Sequence, residues 1–374
     1  MKVLITFSSA VFLFFLGFSS SALAWGGRAH DAICEAAVFL VESPNLKDYL
    51  LNKPHMMGHL CNIPDIHWRN LSSEFTTHGN PTHYIEPEMI GLQAKDMPTD
   101  FSTLVAKYTG HDNQIKPMLG TSASSDSSKI SSLPLEMGTN WWRADQFYRV
   151  ALEAGKDLKK QTAPANSKEE QNDDLPYNKS FYNMIVALGL MGHYVGDNSQ
   201  PFHVSSDYDG YAAGHGGIHA YYEDSSVAYF GPDLVARVVQ AAKSMNAKKG
   251  NAPFLKGKNT VEKMRALGQI SSSEVKAILK VDPVIKPSSL KLERGMSLKT
   301  KAERRPATVG FQKFEKLMVT QMGRAAKLLA HLWDQAFIEA GSPEVKAYKS
   351  YRYPLTPDFV MPDYYEIKTK AVSK

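Results

Sequence analysis

The stretch from Phe181 to His203 restricts the fold more than any other part of the chain. Its apolar residues recur at helical spacing as far as Asp197, and Pro201 cannot continue a helix, so the segment predicts a helix with a defined end. Within it, Gly192-His193-Tyr194-Val195-Gly196-Asp197 sets an imidazole and a carboxylate four residues apart. That spacing puts both on one helix face, where they can reach a single ion, while His203 lies beyond the helix end and can reach a second.

The helical period also runs from Arg28 to Leu51, through Ala29, Ile33, Ala36, Ala37, Leu40 and Val41, and recurs at Trp141 to Leu158, Leu234 to Met245 and Phe311 to Ala340. Strand-type alternation is scarce, so the chain is expected to be mainly α, a single multi-helix domain over 25–374. Polar, Ser- or Lys-rich stretches at Gly120 to Ser132, Lys159 to Asn178 and about 248–307 read as loops or insertions. The last is long enough for a small helical subdomain, with Val261 to Leu267 and Ser273 to Leu279 as candidates, and nothing in it suggests chemistry.

At the N-terminus, Lys2 precedes an apolar run from Val3 to Phe18, a serine patch and Ala22-Leu23-Ala24. This reads as a signal peptide over 1–24, cleaved between Ala24 and Trp25. No later segment offers the roughly 18 consecutive apolar residues of a membrane span. The mature chain is therefore expected to be secreted or periplasmic and without an anchor. In an oxidising compartment the two cysteines, Cys34 and Cys61, can form a disulfide, and a thiolate zinc site is not expected. With 43% hydrophobic and 22% charged residues the composition is globular, and the formal charge of +5 favours anionic substrates only mildly. The basic run Lys258 to Lys316 reads as a solvated face, and no stable protein partner is predicted.

Downstream of the glycine-rich turn Gly214-His215-Gly216-Gly217, His219 and Glu223 repeat the four-residue pairing. One such pair alone is an ordinary polar pair on a helix. Two pairs with a histidine between them point to metal. Nitrogen and oxygen donors without thiolate suit zinc in a catalytic rather than a structural role.

Trp25-Gly26-Gly27-Arg28-Ala29-His30, His193-x3-Asp197-x5-His203 and His219-x3-Glu223 together resemble the superfamily of zinc-dependent phospholipases C and type I single-strand nucleases, nearer the bacterial phospholipases. The resemblance covers most of the mature chain outside the insertions and implies that superfamily's multi-helix fold and three zinc ions. One ion would take the Trp25 amine and carbonyl, His30 and Asp197, with Asp197 bridging to the next. A neighbour would take Asp65, His83, His193 and Asp197, and a third His203, His219 and Glu223. Asp65 comes from Asn62-Ile63-Pro64-Asp65 and His83 from Pro81-Thr82-His83-Tyr84-Ile85-Glu86. The reaction implied is phosphodiester hydrolysis by an activated water, with Asp65 as general base. Arg69 lies four residues after Asp65, one further than the arginine that the nucleases use to stabilise charge. His215 reads as an exposed loop residue.

On substrate the features divide. Glu223 matches the phospholipases, which would act on glycerophospholipids at a membrane surface and release diacylglycerol and a phosphorylated head group. Arg28 and Ile66 stand where the choline-specific enzymes carry glutamate and tyrosine, and Arg28 would repel a quaternary ammonium. Tyr84 and Glu86 could instead stack and hold a base, as in a nuclease or 3′-nucleotidase that releases 5′-nucleotides from single-stranded nucleic acid. Tyr208 to Tyr211, with Tyr221 and Tyr222, could line either pocket. A third class, an exported zinc-binding protein without turnover, keeps the ligands and loses the chemistry.

Overall fold

A computed structural model describes residues 25–115, 129–293, 296–345 and 356–366. The proposed signal peptide, residues 1–24, lies outside the described residues, as does most of the loop at 120–132. The described chain is mainly helical. Its longer helices are α1 (Gly27–Val38), α2 (Pro54–Ile66), α3 (Asn140–Lys159), α4 (Pro176–Ser199), α5 (Leu234–Ser244), α6 (Thr260–Val281) and α7 (Ala307–Glu339). None is long and apolar enough to cross a membrane.

The helix α4 is the axis of the structure, with α1, α2, α3, α6 and α7 all packed against it. Pro176 stands in its first turn, where a missing N–H costs nothing, and Pro201 follows its C-cap, Gln200. Almost every residue from Met184 to Ser199 is buried. Three glycines let α1 and α2 come close, the first being Gly189, where a Cβ would overlap Leu60 of α2. A Cβ at Gly192 would overlap Cys34 Sγ and lie 3.1 Å from Cys61 Sγ, and one at Gly196 would lie 2.8 Å from the His30 ring. The Cys34–Cys61 disulfide joins α1 to α2 at that point. Side chains tie the neighbouring helices to the axis: Trp333 Nε1 donates to Leu188 O at 2.9 Å, Gln321 Nε2 to Ser199 O at 2.6 Å, and Trp141 Nε1 to Asn198 Oδ1 at 2.9 Å.

The structure departs from the sequence reading in three places. The periodic stretch from Arg28 to Leu51 is two helices, because α1 stops at Val38 and a short helix, Pro44–Leu50, starts after Ser43. The region 248–307 does not hold two candidate helices in a peripheral subdomain. Residues 260–281 form the single helix α6, capped by Asn259 Oδ1 accepting from Glu262 N at 2.9 Å. Its Met264, Leu267, Ser271 and Ile278 are buried against α3 and the turn after α4. After α6 that region forms two antiparallel ribbons, β1 (Val284–Lys286) with β4 (Glu303–Arg304) and β2 (Ser289–Glu293) with β3 (Met296–Thr300), the second pairing Ser289 with Thr300 through Glu293 with Met296.

Residues 356–366 return across α3. Trp68 Nε1 donates to Pro357 O at 2.8 Å, Arg143 to Val360 O at 2.5 Å and Gln146 Nε2 to Met361 O at 2.8 Å. Arg143 is wholly buried, its guanidinium 4.7 Å from the Phe147 ring and 5.5 Å from Tyr194.

Candidate metal centre

Seven local elements bring the chemically active side chains together around the C-terminal end of α4. His30 comes from α1 and Asp65 from the last turn of α2. His83 ends a short turn, Asn80–His83. His193 and Asp197 project from one face of α4, as their spacing requires. His203 sits in the tight turn Pro201–Val204. His219 lies on the one-turn helix Ile218–Ala220, and Glu223 on the wide turn that follows it.

These residues form three buried groups, in each of which the donor atoms lie within 4.8 Å of one another: His30, His193 and Asp197; Asp65, His83 and His193; His203, His219 and Glu223. The two Asp197 oxygens face different partners. Oδ1 lies 3.3 Å from His30 Nε2 and 3.6 Å from His203 Nδ1, whereas Oδ2 lies 3.1 Å from His83 Nδ1 and 3.2 Å from His193 Nε2. One imidazole nitrogen can bind only one ion, so a carboxylate facing both ways is what adjacent ions in the first two groups would share. In the third group His219 Nε2 lies 2.7 Å from Glu223 Oε2 and 3.0 Å from His203 Nε2.

Backbone carbonyls fix the ring tautomers. His193 Nδ1 lies 2.8 Å from Cys61 O, and His203 Nδ1 2.8 Å from His83 O. A carbonyl only accepts, so each Nδ1 carries a proton and each Nε2 presents its lone pair to the group. Burial lowers the pKa of His30 and His203 and brings His83 and His219 down to about 4, keeping them neutral at neutral pH. Burial opposes the charged form of His193 too, but Asp197 and Asp65 outweigh it and raise that pKa. Burial pushes Asp197 upward, yet His193, His203 and His30 around it hold it well below the usual carboxylate range. Glu223 lies well above that range, because burial dominates there.

The residues fit a bound cation. His30 Nε2, Asp65 Oδ2, Asp197 Oδ1 and Glu223 Oε1 are buried without a hydrogen-bond partner among the described residues. Each such atom costs about 1–3 kcal/mol unless something satisfies it. Their concentration among eight histidine and carboxylate ligand candidates, with no thiol, is the donor set expected for zinc in a catalytic setting.

Other predicted site residues are placed as follows. Trp25 is fully buried; its indole donates to Ser199 Oγ at 3.1 Å, and the next residue's backbone, Gly26 N, donates to Glu223 O at 3.3 Å. Its backbone thus runs beside the third group. Arg69 Nε lies 3.1 Å from Asp65 Oδ1, since four residues at a helix end bring it back over that carboxylate. Tyr84 and Glu86 are half-buried. Burial, with Glu88 nearby, raises Glu86 well above an ordinary glutamate, and burial followed by Glu86 raises Tyr84. Tyr208, 45% exposed, sets its ring edge-on to His219 with centroids 5.2 Å apart.

Three expectations are corrected. Arg28 does not face a substrate, because its guanidinium donates to Ala228 O at 2.9 Å, Phe230 O at 2.5 Å and Gly231 O at 3.0 Å. His215 is not an exposed loop residue: its Nδ1 lies 2.8 Å from the buried carboxylate of Asp282. Tyr222 lines no pocket, being fully buried against Trp25 and Phe314, and Tyr221 is tied to Arg305 O at 2.9 Å. The sequence reading also passed over Gln200, whose Nε2 donates to Glu223 Oε2 at 2.6 Å while its Oε1 accepts from Phe202 N. Its position directly before the Pro-Phe-His203 turn was the available signal.

No protein-family model matches the chain, and no curated protein does. Among solved structures it is similar to an alpha-toxin of Clostridium perfringens isolated from an avian strain, at 10% identity and a TM-score of 0.39. The overlap covers 87% of this chain and 66% of that one, just under two thirds of the toxin's length.

Proposed function

We propose that the chain is an exported zinc-dependent phosphodiesterase, a phospholipase C that hydrolyses glycerophospholipids to diacylglycerol and a phosphorylated head group. The observation that carries the reading is the set of three adjoining buried groups, two of them facing a common carboxylate, Asp197. Zinc ions held there would supply Lewis acidity, neutralising charge on phosphoryl and leaving oxygens and lowering the pKa of water.

The protein's own residues do the rest. In this reading His30 and Asp197 would hold the first ion together with the Trp25 amine and carbonyl that the resemblance assigns to it, Asp65, His83 and His193 the second, and His203, His219 and Glu223 the third. Asp65 takes the proton of the attacking water, and Arg69 holds that carboxylate in place. Neutral His83 and His219 keep lone pairs available down to mildly acidic pH. Glu86, with Tyr208 within electrostatic reach, offers a desolvated carboxyl to a cationic head group, and Arg28, committed to three carbonyls, does not oppose one.

A second reading rests on a specific observation: Tyr84 and Glu86, directly after His83, also suit the face and edge of a nucleobase, as in a type I nuclease. Purified protein assayed on phosphatidylcholine, phosphatidylglycerol and single-stranded DNA, with and without chelator, separates the two. Activity on DNA alone refutes the lipid reading, and chelator-insensitive activity refutes the metal mechanism. One extra residue before Trp25 should abolish or strongly reduce activity by removing the free amine, and full activity of that protein contradicts the proposed ligand set.

A further inference from the structure

His219 reaches the third group at the end of a turn rich in glycine. Gly210, Gly214 and Gly217 have φ of 76°, 79° and 86°, a backbone that glycine adopts readily and loses much freedom in fixing. Part of the fixing is internal. The Asp207 carboxylate accepts from Ala212 N at 3.0 Å and Ala213 N at 3.1 Å, and Asp209 accepts from Gly217 N at 3.0 Å and His219 N at 3.3 Å.

The remainder comes from the ribbons, far along the chain. Ser288 N donates to Gly214 O at 2.9 Å, Gly216 N to Ser288 Oγ at 2.8 Å, and Ala302 N to Gly216 O at 2.9 Å. Arg304 donates to Gly216 O at 3.0 Å and to His215 O. Arg304 is held in turn by Asp282, which accepts its Nε at 2.9 Å and its Nη2 at 2.9 Å and lies 2.8 Å from His215 Nδ1. The Asp282 side chain is wholly buried. The Arg304 guanidinium also lies 5.2 Å from the Tyr221 ring, between His219 and Glu223 in sequence. One buried carboxylate is thus linked through Arg304 to the backbone before His219 and to the Tyr221 ring after it. A buried ion pair contributes little net stability compared with apolar packing, so an arrangement this specific is better accounted for by the geometry it imposes.

We propose that Asp282 and Arg304 are positioning residues for the third metal group: by holding His215 and the carbonyls of His215 and Gly216, they set the orientation in which His219 meets His203 and Glu223. The proposal rests on the reading of that group as a zinc site. It gives the segment 282–304, which carries no ligand, a part in building the centre.

Metal content tests it. Wild type, Asp282→Asn and Arg304→Met are equilibrated against a chelator-buffered series of free zinc, and bound zinc is counted by elemental analysis beside far-UV circular dichroism. Both variants should hold one equivalent about tenfold or more weakly, the loss typical of outer-shell partners, with the other equivalents at wild-type affinity and an unchanged spectrum. Wild-type affinity for every equivalent overturns the proposal, and so does equal weakening of all of them. Should either variant fail to fold, Ser288→Ala, which removes only the side-chain acceptor of Gly216 N, takes its place, with the same selective loss expected and the same two results overturning it. A wild-type protein that binds no zinc overturns the metal reading and this proposal together, a failure visible before any variant is made.

Discussion

Replacing both cysteines by alanine tests how far the disulfide holds the centre together. Cys34 and Cys61 are wholly buried and 27 residues apart in sequence, so the bond closes a loop that the unfolded chain would otherwise explore. Loop-closure entropy for that separation corresponds to about 3.5 kcal/mol at 25 °C, and two buried sulfur atoms add roughly another 1 kcal/mol of packing. Against a total stability of about 5–15 kcal/mol for a typical protein, the loss is large. The bond also lies between the helices that carry His30 and Asp65, and Cys61 O is the acceptor that orients His193. Urea denaturation of the metal-free protein should therefore show the Cys34→Ala/Cys61→Ala variant less stable by about 4 kcal/mol, and zinc titration should show about tenfold weaker binding. A stability loss below about 1 kcal/mol would refute the loop-closure argument. Wild-type zinc affinity despite the full loss would refute the claim that the bond positions His193.

Asp197→Asn should remove zinc from both groups that its oxygens face while His203, His219 and Glu223 keep theirs, as elemental analysis after dialysis would show. Glu86→Gln should raise KM for phosphatidylcholine about tenfold, near 1.4 kcal/mol, and leave phosphatidylglycerol unaffected, measured as initial rates on mixed micelles. His331 has its pKa lowered, first by burial and then by Lys263 and Lys327, with Asp334 and Glu42 opposing. Below the ordinary histidine value of 6.5 the unfolded chain therefore binds the proton more readily, and acidification through that region costs stability. His331→Gln should lose less stability than wild type between pH 8 and about 5.5 in urea titrations, and equal losses would contradict the assignment.

What the sequence disclosed depended on how far apart interacting residues stand. The axis α4 was plain because its apolar period, its three glycines and its His–Asp pair all lie within one stretch. The helix α2 was not, since Pro54, Gly58 and Pro64, with two histidines, break any apolar period, although Pro64 is tolerated inside the helix. In α6 the Ser271-Ser272-Ser273 run hid continuity that Met264, Leu267 and Ser271 now explain by facing the core at steps of three and four. The ligand spacing and the cysteine count announced the centre. The commitment of Arg28 to carbonyls two hundred residues away and the pairing of His215 with Asp282 had no local signature. Tertiary contact decided both.

The return of residues 356–366 across α3 bears on when the centre can form during synthesis. Phe359 sets its ring on Trp68 and on Phe75, and Phe75 meets the edge of His83, so this segment backs the wall behind the second group. Every ligand candidate has been made once Glu223 is complete, yet that wall still lacks its support for 143 more residues, the interval from Glu223 to Glu366. At about 5–20 residues per second the delay is roughly 7–30 seconds. Through that interval Trp68 and Phe75 lack their ring contacts with Phe359. A centre backed by that completed wall can therefore form only after residues 356–366 have been made.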